Sequence, residues 1–335
     1  MAKYSKFRGK SVISREEDFS AAYGTSGSSF EGQLYYNTSD GQIKYIGVAA
    51  GTWATGGSLN QGRNSGNITG DHSASMFAGG EHPSQNASNL VETYNGSSWT
   101  EITEINTGRG GPALVNTGGI DNVLLISGGE SPLGASNPIT NVESWNGSSW
   151  TETTEVNTGS LQVEAFGRSD AAIKVGGYAP GMTDSVENWN GTSWTEVNEI
   201  NTATVGHGAF GISTSGAIAG GSPTPNDTRH ESWNGSSWTE TTELNTGRSY
   251  LGSGGASSSS GMIFAGTESP PAQSAKTEIW DGTSWTESGD LGQTAGEGRG
   301  NSQSIASGMA KLDNPGKSQT EEWTFEHAFK KVTTS

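Results

Sequence analysis

Asn146-Gly147-Ser148-Ser149-Trp150-Thr151-Glu152 is one of five copies of a single phrase. It returns as Asn95 to Glu101, Asn190 to Glu196, Asn234 to Glu240 and, with Asp in front, Asp281 to Glu287. The Trp residues of the five copies lie 51, 44, 44 and 47 positions apart. Repetition at that period is the mark of one supersecondary unit duplicated along a chain. Asn-Gly between segments of alternating polarity is a strong hairpin signal, because a type I′ turn takes two residues at positive φ. The arms around the first copy are Leu90-Val91-Glu92-Thr93-Tyr94 and Ser97-Ser98-Trp99-Thr100-Glu101. A two-residue loop pairs Tyr94 with Ser97 and a four-residue loop pairs it with Trp99; either way Tyr94 and Trp99 share a face.

That face carries an aromatic pair in every unit. Its first member is Tyr94, Trp145, Trp189, Trp233 or Trp280, and its second is Trp99, Trp150, Trp194, Trp238 or Trp285. A ring that buries ~150–250 Å² at ~25 cal/mol per Å² contributes roughly 4–6 kcal/mol before entropy. The rings are therefore expected to pack sheets together rather than to form a row of sugar platforms.

Composition agrees with many short strands and tight turns. Of 335 residues only 30% are hydrophobic, while 51 are Gly, and the Gly recur with the repeat instead of forming a low-complexity tract. A continuous repeat from about residue 50 to 325 predicts one closed array. The formal charge of −17 comes largely from repeated acids such as Glu101, Glu104, Glu152, Glu155, Glu196 and Glu199. Such a surface argues against nucleic acid as a partner. With no Cys, disulfides, Cys-ligated zinc and thiol nucleophiles are excluded. No apolar run has the length of a signal peptide or membrane helix, so a soluble chain without membrane insertion is expected. Sequons such as those at Asn37, Asn67, Asn86 and Asn95 read as turn chemistry.

Both ends bear on closure. Residues 1–30 hold Lys3, Lys6, Arg8, Lys10 and Arg15, five of only 18 basic residues, followed by Glu16-Glu17-Asp18 and a Gly/Ser stretch. They read as an extended arm in which Tyr4, Lys6, Phe7, Arg8 and Phe19 dock on a larger assembly. A hairpin pattern with Asp40-Gly41 at its turn follows, and Gly51-Thr52-Trp53 is a degenerate repeat phrase 46 residues before Trp99. Thr320-Glu321-Glu322-Trp323 matches Val142-Glu143-Ser144-Trp145, yet no Trp hairpin follows it. Pairing the Trp53 strand with the Trp323 strand closes the ring and removes two open edges.

Between the ends, each unit starts at an Arg or a small residue (Arg63, Arg109, Ser160, Ala203, Arg248, Arg299). A short strand follows, then an apolar strand ending in a Gly doublet, a variable loop and the Trp hairpin. The doublets are read as Gly79-Gly80, Gly128-Gly129, Gly176-Gly177 and Gly220-Gly221, weakening to Ala265-Gly266 and Ser307-Gly308. Over residues 50 to 325 this order resembles kelch repeats. The Asn-Gly-Ser-Ser-Trp-Thr-Glu wording, after a Gly32-Gln33-Leu34-Tyr35-Tyr36-Asn37-Thr38 hairpin, is similar to structural proteins of tailed, especially marine, bacteriophages. The expected fold is all-β, a six-bladed kelch-like β-propeller over 51–325 closed by an N-terminal strand. An arm over 1–30 and a hairpin over 31–50 precede it, and a tail over 326–335 follows.

Kelch-type oxidases use copper with a Tyr–Cys crosslink and His ligands. A chain without Cys, with His only at 72, 82, 207, 230 and 327, does not assemble that site, and no metal or cofactor is expected. Propeller sialidases use an Arg cluster, but Arg63, Arg109, Arg248 and Arg299 read as one repeated position with a blade-to-blade structural role. Neither a Ser/His/Asp arrangement nor a nucleotide loop stands out.

Binding is expected on the loops after the doublets, which vary while the frame does not. Their candidates are His82, Pro83, Pro132, Tyr178, Pro223 and Pro270. The resemblance implies a non-enzymatic virion protein assembled in the host cytoplasm. Its first reading is a tail-fibre or adsorption component that meets other virion proteins through residues 1–30 and a host-surface glycan or protein through its loops. A head decoration or neck protein and a glycan-processing enzyme with paired carboxylates are the alternatives.

Overall fold

In each Trp hairpin the two aromatics pair directly, Tyr94 with Trp99, Trp145 with Trp150 and so on to Trp280 with Trp285, leaving four residues in the loop. The longer of the two registers is adopted, and the reason lies in the Asn side chain. Asn146 Oδ1 accepts the backbone N–H groups of Ser148 and Ser149, both at 3.0 Å, which closes the turn through the side chain. Only the Gly is left-handed, at φ 87–94° across the copies (Gly96 87, Gly282 94), so the turn is not the type I′ expected from Asn-Gly. Asp281 makes the same bonds to Thr283 and Ser284, at 2.8 and 2.9 Å. Those hydrogen bonds, first of all from the Thr283 hydroxyl, hold its carboxyl below the ordinary value.

The computed structural model describes residues 13–15, 34–37, 42–48, 51–81, 87–117, 119–129, 137–222, 227–269, 272–312, 318–325 and 327–331. Its strands form two compact units. The larger, Thr52–Thr324, holds the six blades of a propeller, each built on four antiparallel strands; the fifth also takes on Asn301–Ser302 as a parallel fifth strand, and Thr267–Glu268 with Ala272–Gln273 forms a separate two-stranded ribbon. Blade 2 shows the plan: Ala113–Asn116, Val123–Ile126, Val142–Trp145 and Trp150–Thr153, running outward from the centre. Blade 1 begins at Asn67–Asp71, blade 3 at Glu164–Arg168, blade 4 at Gly208–Ile212 and blade 5 at Gly252–Ser257. These first strands contact one another around the ring. Blade 6 joins the chain ends: Thr320–Thr324 pairs with Thr52–Thr55 and sets Trp323 opposite Trp53, as the closure argument requires.

The smaller unit is a sheet of Ile13–Arg15, Leu34–Asn37, Gln42–Val48 and His327–Lys331. Leu34–Asn37 and Gln42–Val48 are the expected hairpin. Ile13–Arg15, inside the expected arm, pairs parallel with Leu34–Asn37, and the expected tail contains the strand His327–Lys331. Tyr4, Lys6, Phe7, Arg8 and Phe19 lie outside the described residues.

Each Trp pair wedges between its own blade and the one before. Trp145 and Trp150 cluster with Met76, Ala78 and Val91 of blade 1, and Trp189 and Trp194 with Ala113, Leu124 and Ile126 of blade 2. Ring centroids within a pair are 5.4 Å apart for Trp145 and Trp150 and 5.1 Å for Trp53 and Trp323, a range that favours aromatic contact. In blades 2 and 3 the indole N–H of the second ring is satisfied in passing: Trp150 donates to Thr103 O at 3.2 Å and Trp194 to Thr154 O at 3.1 Å, both on connectors between blades. The rings are thus the cohesive elements that their repetition predicts.

A second repeated device was not singled out in the sequence. Two residues before the first aromatic, every blade buries a Glu: Glu92, Glu143, Glu187, Glu231, Glu278 and Glu321. Glu143 accepts the Asn106 N–H at 2.7 Å, the Asn106 amide at 2.8 Å, the Thr107 N–H at 3.2 Å and the Arg109 guanidinium. Glu278 repeats this with Asn245, Thr246 and Arg248. Each Glu therefore clamps the connector arriving from the previous blade. Where Ser160 replaces Arg, Lys174 supplies the cation from the neighbouring strand, 3.2 Å from Glu187; burial pushes its ammonium below the ordinary value.

Three sequence assignments move by register. The left-handed pair that ends the second strand is Gly79-Gly80, Gly176-Gly177 and Gly220-Gly221, as expected, but in blade 2 it is Ser127-Gly128 rather than Gly128-Gly129. In blade 6 Gly308 faces Trp323, at the opposite end of the strand, so Ser307-Gly308 is no doublet. The second member of each pair links neighbouring blades: Gly80, Gly128, Gly177, Gly221 and Gly266 donate to the carbonyls of Arg109, Ser160, Thr204, Arg248 and Ala295. Ala295, not Arg299, is thus the sixth-unit equivalent of Arg109. Arg299 departs from the repeat and does something else.

Candidate functional site

Because strands alternate direction within each blade, the doublet loops and connectors emerge on one face and the Asn turns on the other. We call the first the upper face. Here Ser65, Gly111, Gln162, Gly206 and Tyr250 hold equivalent left-handed positions just ahead of the first strands, with φ from 49° to 67°. Gly111 N donates to Ser65 O and Tyr250 N to Gly206 O, each at 2.5 Å, so this rim is stitched from blade to blade.

Below the rim the centre of the ring is filled. Arg299 reaches from blade 6 to Glu164 of blade 3 at 3.0 Å, and Asn67 of blade 1 approaches the other Glu164 oxygen at 3.4 Å. Asn301 donates to Leu114 O at 2.8 Å and Ala165 O at 2.9 Å, and Gln303 to Gly167 O at 3.2 Å and to Asn116 O. Of three alternate residues in one segment, Arg299 thus bridges to a carboxylate of blade 3, and Asn301 and Gln303 to alternate carbonyls of the first strands of blades 2 and 3. Burial pushes the Glu164 carboxyl up to about 7, against the pull of Arg299 beside it.

At the rim, where blades 1, 2 and 3 meet, lies a cavity of about 200 Å³. Its floor is backbone, because blade 2 carries Gly110-Gly111 where blade 1 has Asn64-Ser65 and blade 3 has Leu161-Gln162. Ser65 and Glu81 form one wall; Leu161, Gln162 and Tyr178 form the other. Tyr178 is fixed in the backbone by reciprocal bonds with Leu161, both 2.9 Å. Its loop is closed by Ala179 N to Gly181 O at 2.7 Å and Thr183 N to Gly177 O at 3.0 Å, so the ring is presented from a short, braced turn. It remains 36% exposed, and Met182 beside it 40%.

Of the residues expected to bind, the structure describes Tyr178 and places it on this cavity. His82, Pro83, Pro132, Pro223 and Pro270 lie outside the described residues. Trp53, Trp99, Trp150, Trp194, Trp238 and Trp285 lie in the sheets and away from the cavity. Sequence reasoning passed over Gly110, Gly111, Glu81 and Gln162. The available signal was the Gly-Gly directly after Arg109, where the other units carry larger residues.

Two buried His lie in blade 4. His207 sits against Gly176 and Gly221, and burial, helped by Arg229 and opposed by Asp227, lowers it to about 4. His230 takes the strand position that Val91, Val142 and Val186 hold elsewhere. Its Nδ1 lies 2.7 Å from the Thr241 hydroxyl and accepts the Trp285 indole N–H at 3.3 Å, and burial lowers it to about 4. Among the described residues no group of three or more His, Asp or Glu could hold a metal ion, and no helix is long and apolar enough to cross a membrane. Compared with protein-family models and with curated proteins, the chain matches none.

Proposed function

We propose that this chain is a non-enzymatic virion protein of a tailed bacteriophage. In this reading it is a tail-fibre or adsorption component whose propeller presents its upper face to the host surface and whose residues 1–30 dock on other virion proteins. A six-bladed propeller of this kind is consistent with a binding or structural role. The observation that carries the reading is the separation of constant and variable parts. Asn turns, Trp pairs and Glu clamps repeat almost unchanged around the frame, while the sequences after the left-handed pairs differ in every blade, and the described strand ends that lead into them lie on one face. A rigid frame with varied loops on one side is the arrangement that recognition favours, because the cost of ordering the site is met in folding rather than in binding. The phage assignment itself rests on the wording of the Trp hairpins and of the preceding Leu34–Asn37 hairpin.

The test is to locate the chain with a gold-labelled antibody on purified particles of the encoding phage. Label at the tail tip or fibres is the expected result. Label over the capsid or neck makes it a decoration or neck protein instead, and no label, with an antibody that recognises the folded chain, overturns the virion reading. A glycan-processing enzyme is a second reading because Glu81 and Tyr178 line opposite walls of one small cavity. It predicts cleavage of host polysaccharide that Glu81→Gln abolishes.

A further inference from the structure

We infer that the cavity between blades 1, 2 and 3 is a subsite for one neutral pyranose ring. The inference deepens the adsorption reading by naming what that face binds, and rests on it only for the source of the sugar. Size comes first. About 200 Å³ is the space of roughly six or seven waters at ~30 Å³ each. That volume suits one sugar ring and falls below the ~300–1,000 Å³ of pockets for drug-sized ligands.

The lining supplies what a sugar ring requires. A pyranose has a C–H face and a rim of hydroxyls, each a donor and an acceptor. Tyr178 offers a half-exposed aromatic surface and Leu161 an apolar edge beside it, which suit the C–H face. Across the cavity Glu81 and Ser65, with Gln162 on the near side, offer a carboxylate, a hydroxyl and an amide to the hydroxyl rim. The site is also built in advance. Leu161, Gln162 and Tyr178 are tied together by the Leu161–Tyr178 backbone pair, and Ser65 is held by the Gly111 N–H. Ordering costs on binding are correspondingly small.

Charge selects among sugars. A chain of net charge −17 disfavours uronic and sialic acids relative to glucose, galactose, mannose or N-acetylglucosamine. The cavity exists because blade 2 lacks side chains at Gly110 and Gly111, and this provides a clean way to fill it. A Cβ on Gly110 meets Glu81 Oε1 at 3.0 Å and Glu81 Cγ at 3.1 Å, atoms of a side chain that can give way, and its φ is ordinary. Gly110→Ala therefore places a methyl group in the cavity without straining the frame.

The experiment is saturation-transfer NMR on the full chain with glucose, galactose, mannose, N-acetylglucosamine and glucuronic acid. Gly110→Ala and Tyr178→Ala are run beside the wild type, with thermal midpoints to show that each variant is folded. The expected result is transfer to at least one neutral sugar from the wild type, reduced tenfold or more in both variants, with glucuronic acid weaker than glucose. No transfer to any neutral sugar, equal transfer in folded Gly110→Ala, or glucuronic acid binding as well as glucose overturns the inference. The two readings fail separately. Sugar binding by a chain absent from phage particles defeats the virion reading and leaves the subsite. A chain found on tail fibres with a silent cavity does the reverse.

Discussion

Glu143→Ala is the most direct probe of the frame. The carboxylate lost is completely buried and faces the equally buried guanidinium of Arg109, while also accepting the Asn106 and Thr107 amides. Removing one partner of a buried ion pair costs ~3–5 kcal/mol, because the remaining charge is stranded away from water. Two amides that lose a partly buried acceptor add ~1 kcal/mol, since water reaches part of the connector. The sum is about 4–6 kcal/mol. At ~2–4 °C per kcal/mol for a domain of this size, the thermal midpoint falls by roughly 8–24 °C. The assay is thermal and urea unfolding of the wild type, Glu143→Ala, Arg109→Met and the double variant Glu143→Met with Arg109→Met. The double variant strands no charge and is expected to recover most of the loss. Blade 3 provides an internal control, since adding Ser160→Arg to Lys174→Met moves the cation to the place it holds in blades 2 and 5 and restores stability. A Glu143→Ala midpoint within about 2 °C of wild type, or a double variant no better than the single, refutes the clamp.

Removal of residues 1–56 takes away the strand that pairs with Thr320–Thr324 and exposes the edges it covers; size-exclusion chromatography should show aggregates where the full chain is monodisperse. His230→Val installs the side chain that blades 1 to 3 use at that position. His230 is lowered to about 4 when folded and titrates near 6.5 when unfolded, so the unfolded state binds the extra proton between those values and wild-type stability falls as pH drops through that window. The variant's advantage in urea should therefore widen by roughly 2 kcal/mol between pH 7 and pH 5. Glu164 has the opposite sign. Its carboxyl, raised to about 7, keeps its proton in the folded state, so stability is lost as pH rises from the ordinary carboxyl range to about 7, and Glu164→Gln should remove that component of a urea–pH series. Ala265 sits at φ 56° in the first left-handed position that is Gly in blades 1, 3 and 4, so Ala265→Gly should raise the unfolding free energy by about 1 kcal/mol in urea titration.

What was legible in the sequence follows from what repetition reveals. The Trp hairpins recur in identical words, so their pairing, their shared face and the missing strand supplied by Trp53 could be read before any coordinates. Errors arose where residue identity was trusted over position. Gly128-Gly129 looks like the other doublets, but hydrogen-bond register assigns the left-handed pair to Ser127 and Gly128, because Ser127 Oγ bonds to Ile139 O and to Ser160 N and so holds a conformation that Gly adopts unaided elsewhere. Arg299 looked like a repeat Arg, yet Ala295 holds the repeat position, ten residues after Trp285 as Arg109 is after Trp99, and Arg299, four residues further on, reaches Glu164 instead. The buried Glu was hidden by its charge: an acid in an exposed-looking phrase such as Val142-Glu143-Ser144-Trp145 reads as surface until its parity with Trp145 is noticed. The cavity was the least legible, since it is made by three consecutive blades and by the side chains that Gly110 and Gly111 do not have.

The closing pair also sets a timetable for synthesis. Thr52 and Thr324, which face each other across the seam, are 272 residues apart, so the first strand of the propeller to leave the ribosome must wait for the last. At ~5–20 residues per second the wait is roughly 15–50 s, during which blades 1 to 5 can form while the seam stays open. The entropic penalty of so long a loop grows only logarithmically, by ~0.6 kcal/mol per doubling, so the delay is a matter of exposure time rather than of final stability. Translation rate and nascent-chain crowding should therefore govern the yield of this protein more than any single contact within its blades.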